Sequence, residues 1–119
     1  MNNNQSLIQA IVDGIQEKKG HRITIIDLSV IDGAVCDAFV VCEGNSPQQV
    51  EAITDAVTDS VRLQAQEKPI HVIGTENAQW VALDYGSVMA HIMLPDIRTF
   101  YAIESLWEDA PTTHIAEQE

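Results

Sequence analysis

Gly44-Asn45-Ser46 lies between an apolar run, Asp37–Glu43, and a segment rich in helix signals. A strand, a Gly-x-Ser turn and a helix together can hold phosphate on the helix N–H groups. Nucleotidyl transfer at such a loop also needs two carboxylates spaced Asp-x-Asp on a nearby strand, to hold divalent metal. No such pair follows, since Asp84-Tyr85-Gly86 offers one carboxylate. The loop also lacks the further glycines and the lysine of a P-loop. The same residues have a structural reading. Ser46 at N-cap, Pro47 at N1 and Gln49 at N3 form a capping box, and Gly44 permits the turn. The missing carboxylates favour the cap, with a nucleotide-binding or nucleotidyltransferase-related enzyme as the alternative.

Nucleophilic catalysis has raw material but no pattern. Ser29, Ser46, Ser60, Ser87, Cys36 and Cys42 could attack, and His21, His71, His91 and His114 could act as base. There is no Gly-x-Ser-x-Gly elbow and no Cys-His signature. Cys36 and Cys42 have no disulfide framework around them and read as free, half-buried thiols of a cytosolic protein. No Cys-x-x-Cys or His-x-x-x-His spacing exists to bind metal. The expectation is therefore no catalytic residue, no cofactor and no metal.

A surface is the more informative feature. Alternate strand residues share a face. In Gln79–Asp84, Val81 and Leu83 point one way, and Trp80, Ala82 and Asp84 the other. In Ser87–Leu94, Val88, Ala90, Ile92 and Leu94 oppose Ser87, Met89, His91 and Met93. If the aliphatic set faces helices, the opposite face carries Trp80, Ala82, Met89, His91 and Met93. Such residues beside Asp84 suit a binding face. Periodicity leaves open whether a helix instead covers them as core.

The elements that must carry this face read α-β-β-α-β-β-β-α. Leu7, Ile8, Ile11, Val12 and Ile15 form one stripe on a helix from about Ser6 to Lys19, closed by Gly20. Arg22–Leu28 is rich in β-branched residues and reads as a strand, as does Asp37–Glu43. The capped helix carries Val50, Ile53, Val57 and Val61 and stops at Lys68-Pro69. Three strands follow, at Ile70–Ile73, Gln79–Asp84 and Ser87–Leu94. Pro95 starts a last helix with Ile97, Phe100, Tyr101 and Ile103 on its apolar side. This predicts one α/β domain over residues 5–108, with three helices and a mixed sheet of about five strands. The stretch from Phe39 through the long helix to Val72 would add a parallel pair by a right-handed crossover. Residues 109–119 read as a frayed, flexible tail.

Composition bounds the partners. The 119 residues carry a net charge of −12, with 45% apolar and 20% charged residues, the balance of a folded acidic domain. Six Lys and Arg form no stripe for gripping a nucleic-acid groove, so no direct nucleic-acid specificity is expected. An acidic domain suits a basic protein partner or simply solubility. No apolar run approaches the roughly 20 residues that span a bilayer, and the first residues lack a basic n-region. A cytoplasmic protein is the expectation.

Several ordered blocks resemble the ribosomal silencing factor family, also called the Iojap or RsfS family. They are Asp27-Leu28-Ser29, the run Asp37-Ala38-Phe39-Val40-Val41-Cys42-Glu43-Gly44-Asn45-Ser46, and the hairpin Trp80-Val81-Ala82-Leu83-Asp84-Tyr85-Gly86-Ser87-Val88. His91 and the ending Arg98-x-x-Tyr101-x-x-Glu104-x-Leu106-Trp107 also match. The resemblance covers roughly residues 5–110. Ala38 stands where the family usually has Tyr, and Ile73 where it usually has Glu, which leaves open whether either alters the interface.

The resemblance implies a nucleotidyltransferase-like fold without the catalytic carboxylates. It implies a translational repressor that binds the large ribosomal subunit through the fourteenth large-subunit ribosomal protein. Blocking small-subunit joining would then lower translation under nutrient limitation. It also allows a homodimer of the free protein. The implied partner interface centres on Trp80, with Asp84, Tyr85, Met89 and His91 around it and Arg98 and Tyr101 as neighbours.

Overall fold

Leu7, Ala10, Ile11 and Ile15 recur on one side of helix α1, Asn4–Glu17, and all four are buried. The structure, a computed structural model, describes residues 4–117. After α1 come β1 (His21–Asp27), β2 (Ala38–Glu43), α2 (Pro47–Ala65), β3 (His71–Ile73), β4 (Trp80–Asp84) and β5 (Val88–Met93). The chain ends with α3 (Pro95–Tyr101), a 3-10 turn at Ile103–Trp107, and β6 (Thr112–His114).

The capping box forms as the sequence predicts, with one variation. The Gln49 N–H donates to Ser46 Oγ at 3.1 Å, while Gln49 Oε1 accepts from the Asn45 N–H at 2.7 Å rather than from Ser46. Helices α1 and α2 pack side by side over one face of the sheet. Gly14 makes this possible, because a Cβ there would sit 2.6 Å from Val57 Cα. Beneath the helices lie Val40, Cys42, Val81, Leu83, Val88, Ala90 and Ile92. Val81, Leu83, Val88, Ala90 and Ile92, with Leu94 partly buried against them, are the aliphatic set that alternation assigned to the helix side.

The sheet has six strands in the order β3-β4-β5-β2-β1-β6. The parallel pair is β2 with β5; β3 pairs antiparallel with β4 at the far edge, so the crossover expected to end at Val72 ends one hairpin later. The physical reason is burial. All three residues of β3 are exposed, whereas every residue of β5 except Met89 is buried, and the central position goes to the strand with apolar residues on both faces.

The end of the chain differs from the frayed tail predicted over 109–119. Thr112–His114 pairs antiparallel with β1 as the sixth strand, opposite Ile26, Ile25 and Thr24. The Ile115 N–H extends the pairing to Ile23 O at 2.9 Å, and Glu117 bonds the N–H of Arg22. Residues 118 and 119 of that predicted tail lie outside the described residues. Thr-Thr-His on an outer edge, exposed on both faces, carries no alternation to read. The last helix also breaks earlier than predicted, at Ala102, whose φ of +47° turns the chain into the 3-10 segment. Phe100 and Tyr101, on the apolar side read for this helix, are 79% and 52% exposed, while Ile103 beyond the break is buried.

Ser46→Ala should lower stability by about 1 kcal/mol, the usual value of a lost N-cap. Leu83→Ala, wholly buried beneath the helices, should cost about 2–5 kcal/mol. Urea unfolding of the two variants checks both values, and equal stabilities would contradict this assignment of cap and core.

Candidate partner-binding face

The second face of the sheet takes its residues from cross-strand rows. Trp80, Met93 and Glu43 stand opposite one another across β4, β5 and β2, and His21 of β1 continues that row. Ala82, His91, Val41 and Thr24 form the next row, and Asp84, Met89, Phe39 and Ile26 the third. Partners in a row share a face. Trp80, Ala82, Asp84, Met89, His91 and Met93 therefore lie together, as alternation predicted. Cover over this face is unequal. Ile103, Ala110 and Trp107 pack on its β1–β2 side, over Ile26, Phe39 and Val41. On the β4 side, Trp80, Ala82, Asp84 and Met89 remain partly exposed.

Trp80 is fixed from beneath and from the side. Its indole Nε1 donates to His91 Nδ1 at 3.0 Å. An indole can only donate, so Nδ1 accepts and the ring proton of neutral His91 sits on Nε2. Phe39 meets the His91 ring edge-on at 4.6 Å. Burial pushes the His91 pKa down to about 4. A second proton could enter only at Nδ1, where it would break the bond to Trp80. His91, expected on the interface, is thus 6% exposed and acts as the support that orients Trp80. Tyr101 lies against Trp80 with ring centres 5.1 Å apart, and Phe100 meets Tyr101 edge-on at 5.0 Å. A shallow hollow of about 190 Å³ opens between Trp80, Ile97, Tyr101 and Gly74. Gly74, at φ +91°, is required there because a Cβ would meet Trp80 O at 2.0 Å.

Arg98 has a different place from the one the resemblance implied. It is 3% exposed, and all five of its N–H donors are used. Nε and Nη2 hold Glu104 at 3.0 and 2.7 Å, and Nη1 bonds Arg22 O at 2.7 Å and Glu43 at 3.3 Å. Nη2 also donates to Thr24 Oγ1 at 3.0 Å. The hydrogen bonds from Arg98 hold the Glu104 carboxyl below the usual carboxylate range. This cluster anchors α3 and the 3-10 turn to β1 and β2, and so sets where Tyr101 can stand.

Tyr85 also leaves the expected interface. It is 4% exposed and packs in the core on the helix side, one residue past Asp84 and hence on the opposite face. Burial pushes its phenol up to about 12. Asp84 stays on the face; its Oδ1 accepts the Gly86 N–H at 2.8 Å, fixing the tight turn. Two exposed apolar residues join the face that the sequence reading had not placed there. Phe100 had been read only as part of the apolar side of the last helix. Ile73, 60% exposed, stands opposite Ala82, a placement that a register between β3 and β4 could have supplied.

Gly44–Ser46 forms a cap, with the Asn45 and Gln49 N–H groups already bonded within the turn. Cys36 and Cys42 are free thiols, the latter fully buried rather than half-buried.

The family described as "Ribosomal silencing factor during starvation" matches residues 1–119. The chain belongs to the ribosomal silencing factor family. A ribosomal silencing factor of Halalkalibacterium halodurans is 36% identical over 115 residues, covering 94% of either chain. A mouse protein, "Mitochondrial assembly of ribosomal large subunit protein 1", is 26% identical over 102 residues, 84% of this chain and 44% of its own. A crystal structure of a Chromobacterium violaceum protein superposes with a TM-score of 0.83 at 29% identity, covering 91% of this chain and 88% of that one. The silencing-factor ending Arg98-x-x-Tyr101-x-x-Glu104 now has a physical meaning in this chain: its first and last residues are the bidentate pair that holds the aromatic between them beside Trp80.

Two outcomes follow. Arg98→Met should cost about 3–5 kcal/mol, because Glu43 and Glu104 lose a buried counter-charge, and Arg98→Lys should recover little, with three donors in place of five. A urea-unfolding loss under about 1 kcal/mol would remove Arg98 as an anchor. The second concerns pH. His91 is held neutral, so stability is complete above pH 6.5, its ordinary value, and falls as the pH drops towards 4, where only the unfolded chain takes up the proton. The slope should reach at most about 1.4 kcal/mol per pH unit. It should vanish in His91→Gln above about pH 5.5, where the carboxylates are still ionised in both states; an unchanged slope there would assign the loss to another group.

Proposed function

We propose that this chain silences translation by binding the large ribosomal subunit through the face built on Trp80, Tyr101 and Phe100. The fourteenth large-subunit ribosomal protein is the contact, and the bound domain sterically blocks the small subunit. The observation that carries the reading is the partly exposed aromatic group itself. Trp80 is held rigidly by His91, and Phe100 and Tyr101 stand out beside it. Pre-oriented aromatics of this kind supply most of the energy in protein interfaces, because little side-chain freedom remains to be lost. Asp84 and Ile73 extend the patch, and Met89 lies at its inner edge.

The charge supports a protein contact. At −12 the domain is repelled by RNA phosphate as a whole, while a basic ribosomal protein attracts it and speeds encounter. The reading needs no reaction, and the protein acts in the cytoplasm, where subunits join. In the free protein, the same patch is where a second copy would pair.

The test is co-sedimentation with isolated large and small subunits, together with a joining assay. The factor should pellet with large subunits only and reduce joined ribosomes. Tyr101→Ala and Phe100→Ala should each weaken binding by tenfold or more, about 1.4 kcal/mol, without loss of stability. Leu63→Ala, equally exposed but on α2, should change nothing. Equal pelleting with both subunits, or full binding by both aromatic variants, would overturn the reading.

A further inference from the structure

Three of the six Lys and Arg residues fall within residues 18–22: Lys18, Lys19 and Arg22. Of the others, Arg98 is buried and Arg62 pairs with Asp59 at 3.5 Å, leaving Lys68 alone on the α2–β3 connection. Lys18 and Lys19 are exposed where α1 gives way to β1, and among the described residues neither has an ion-pair partner. Lys19 and Arg22 have φ of +60° and +52°, and the β1–β2 register shifts between His21 and Thr24.

An oxyanion already occupies this corner. The Glu117 carboxylate accepts the Arg22 N–H at 2.8 Å and contacts His21 Nδ1 at 3.2 Å. Asn45 Nδ2 donates to His21 Nε2 at 3.3 Å, which leaves the ring proton on Nδ1, facing the carboxylate. A cavity of about 150 Å³ lies beside it, lined by Gln16, Lys19, Gly20, His21 and Ile23. The neighbouring negative groups include Glu17, exposed and next in sequence to Lys18, Glu43, which already holds the Arg22 guanidinium at 2.8 Å, and Glu104, which interacts with the Arg22 charge. Glu117 itself sits past a three-residue, fully exposed edge strand. Such segments open at little cost.

We propose that the corner formed by Lys18, Lys19, His21 and the Arg22 N–H is a contact site for backbone phosphate of ribosomal RNA, and that Glu117 occupies it in the free protein as an intramolecular competitor. The proposal rests on the docking face described above and adds a second point of attachment to it. His21 and Trp80 lie in one cross-strand row at the same end of the sheet, three strands apart, or roughly 14 Å. A particle seated on Trp80 therefore approaches this corner too. Phosphate is favoured over an acidic protein segment because a ribosomal particle is rich in it, and the corner gathers three of the chain's six basic residues in a domain that otherwise repels anions. The contact carries no sequence preference, since phosphates position without specifying.

The deciding experiment titrates the full chain with a short RNA duplex at low salt, following backbone and imidazole NMR signals. The Lys19–Arg22 amides and the His21 ring should move. Glu117→Gln should bind the duplex about two- to fivefold more tightly, the range of one surface ion pair. Lys18→Gln/Lys19→Gln should bind more weakly. With large subunits, the double variant should lower the dependence of affinity on salt, by about 1 to 2 in the log–log slope. Unmoved Arg22 and His21 signals, or equal RNA affinity for wild type and Glu117→Gln, would overturn the proposal. Failure of the wild type to bind subunits would instead remove the docking face, and the RNA titration would still decide this site.

Discussion

A guanidinium buried to 3% exposure must have every donor matched, and the end of this fold is built around that demand. Arg98 draws its acceptors from four places: Glu104 in the 3-10 turn, Glu43 at the end of β2, and Thr24 Oγ1 and the Arg22 carbonyl on β1. No short segment supplies that set. The left-handed turn at Ala102 exists because the chain must bring Glu104 back to Arg98, six residues away. Tyr101, just before the turn, has nowhere to go but outward and across to Trp80. A buried charge network thus fixes the geometry of an exposed aromatic group.

The same division between support and surface recurs beneath Trp80. A tryptophan on an open sheet face can rotate about two bonds, and an interface would have to pay to fix it. Here the indole N–H is bound to a buried neutral imidazole, and Tyr101 closes the flank. His91 gives up its ordinary titration to do so. The polar residues that looked like candidates for contact, His91 and Arg98, therefore act one layer down. The residues left at the surface are mainly apolar and aromatic, with Asp84 at the margin. Such a surface suits the binding role proposed above.

The Gly44–Ser46 turn shows how a strand–turn–helix geometry is turned to structure. The Gln49 N–H of the first helical turn is taken by Ser46 Oγ, and the Asn45 N–H of the preceding loop by the Gln49 side chain. The Gln49 amide also bonds the carbonyls of Lys18 and Lys19, tying α2 to the end of α1. The exposed anion-facing corner lies next door, on the β1 side of His21.

Features whose cause is local were legible in the sequence. The α1 stripe, the Ser46 cap and the β4–β5 alternation each depend on residues a few positions apart, and the family blocks stand in order along the chain. They sufficed to separate Val81 and Leu83 from Trp80 and Asp84. What the sequence could not convey has causes far apart in the chain. Thr112–His114 became a strand because the edge of β1 had unpaired backbone groups, not because its own residues ask for one. Arg98 reads as a surface cation until Glu43, Thr24 and Glu104 are brought around it, across sequence separations of 55, 74 and 6 residues. Local periodicity reports which way a side chain points; only the assembled sheet decides what it meets there, because that depends on which strands become neighbours.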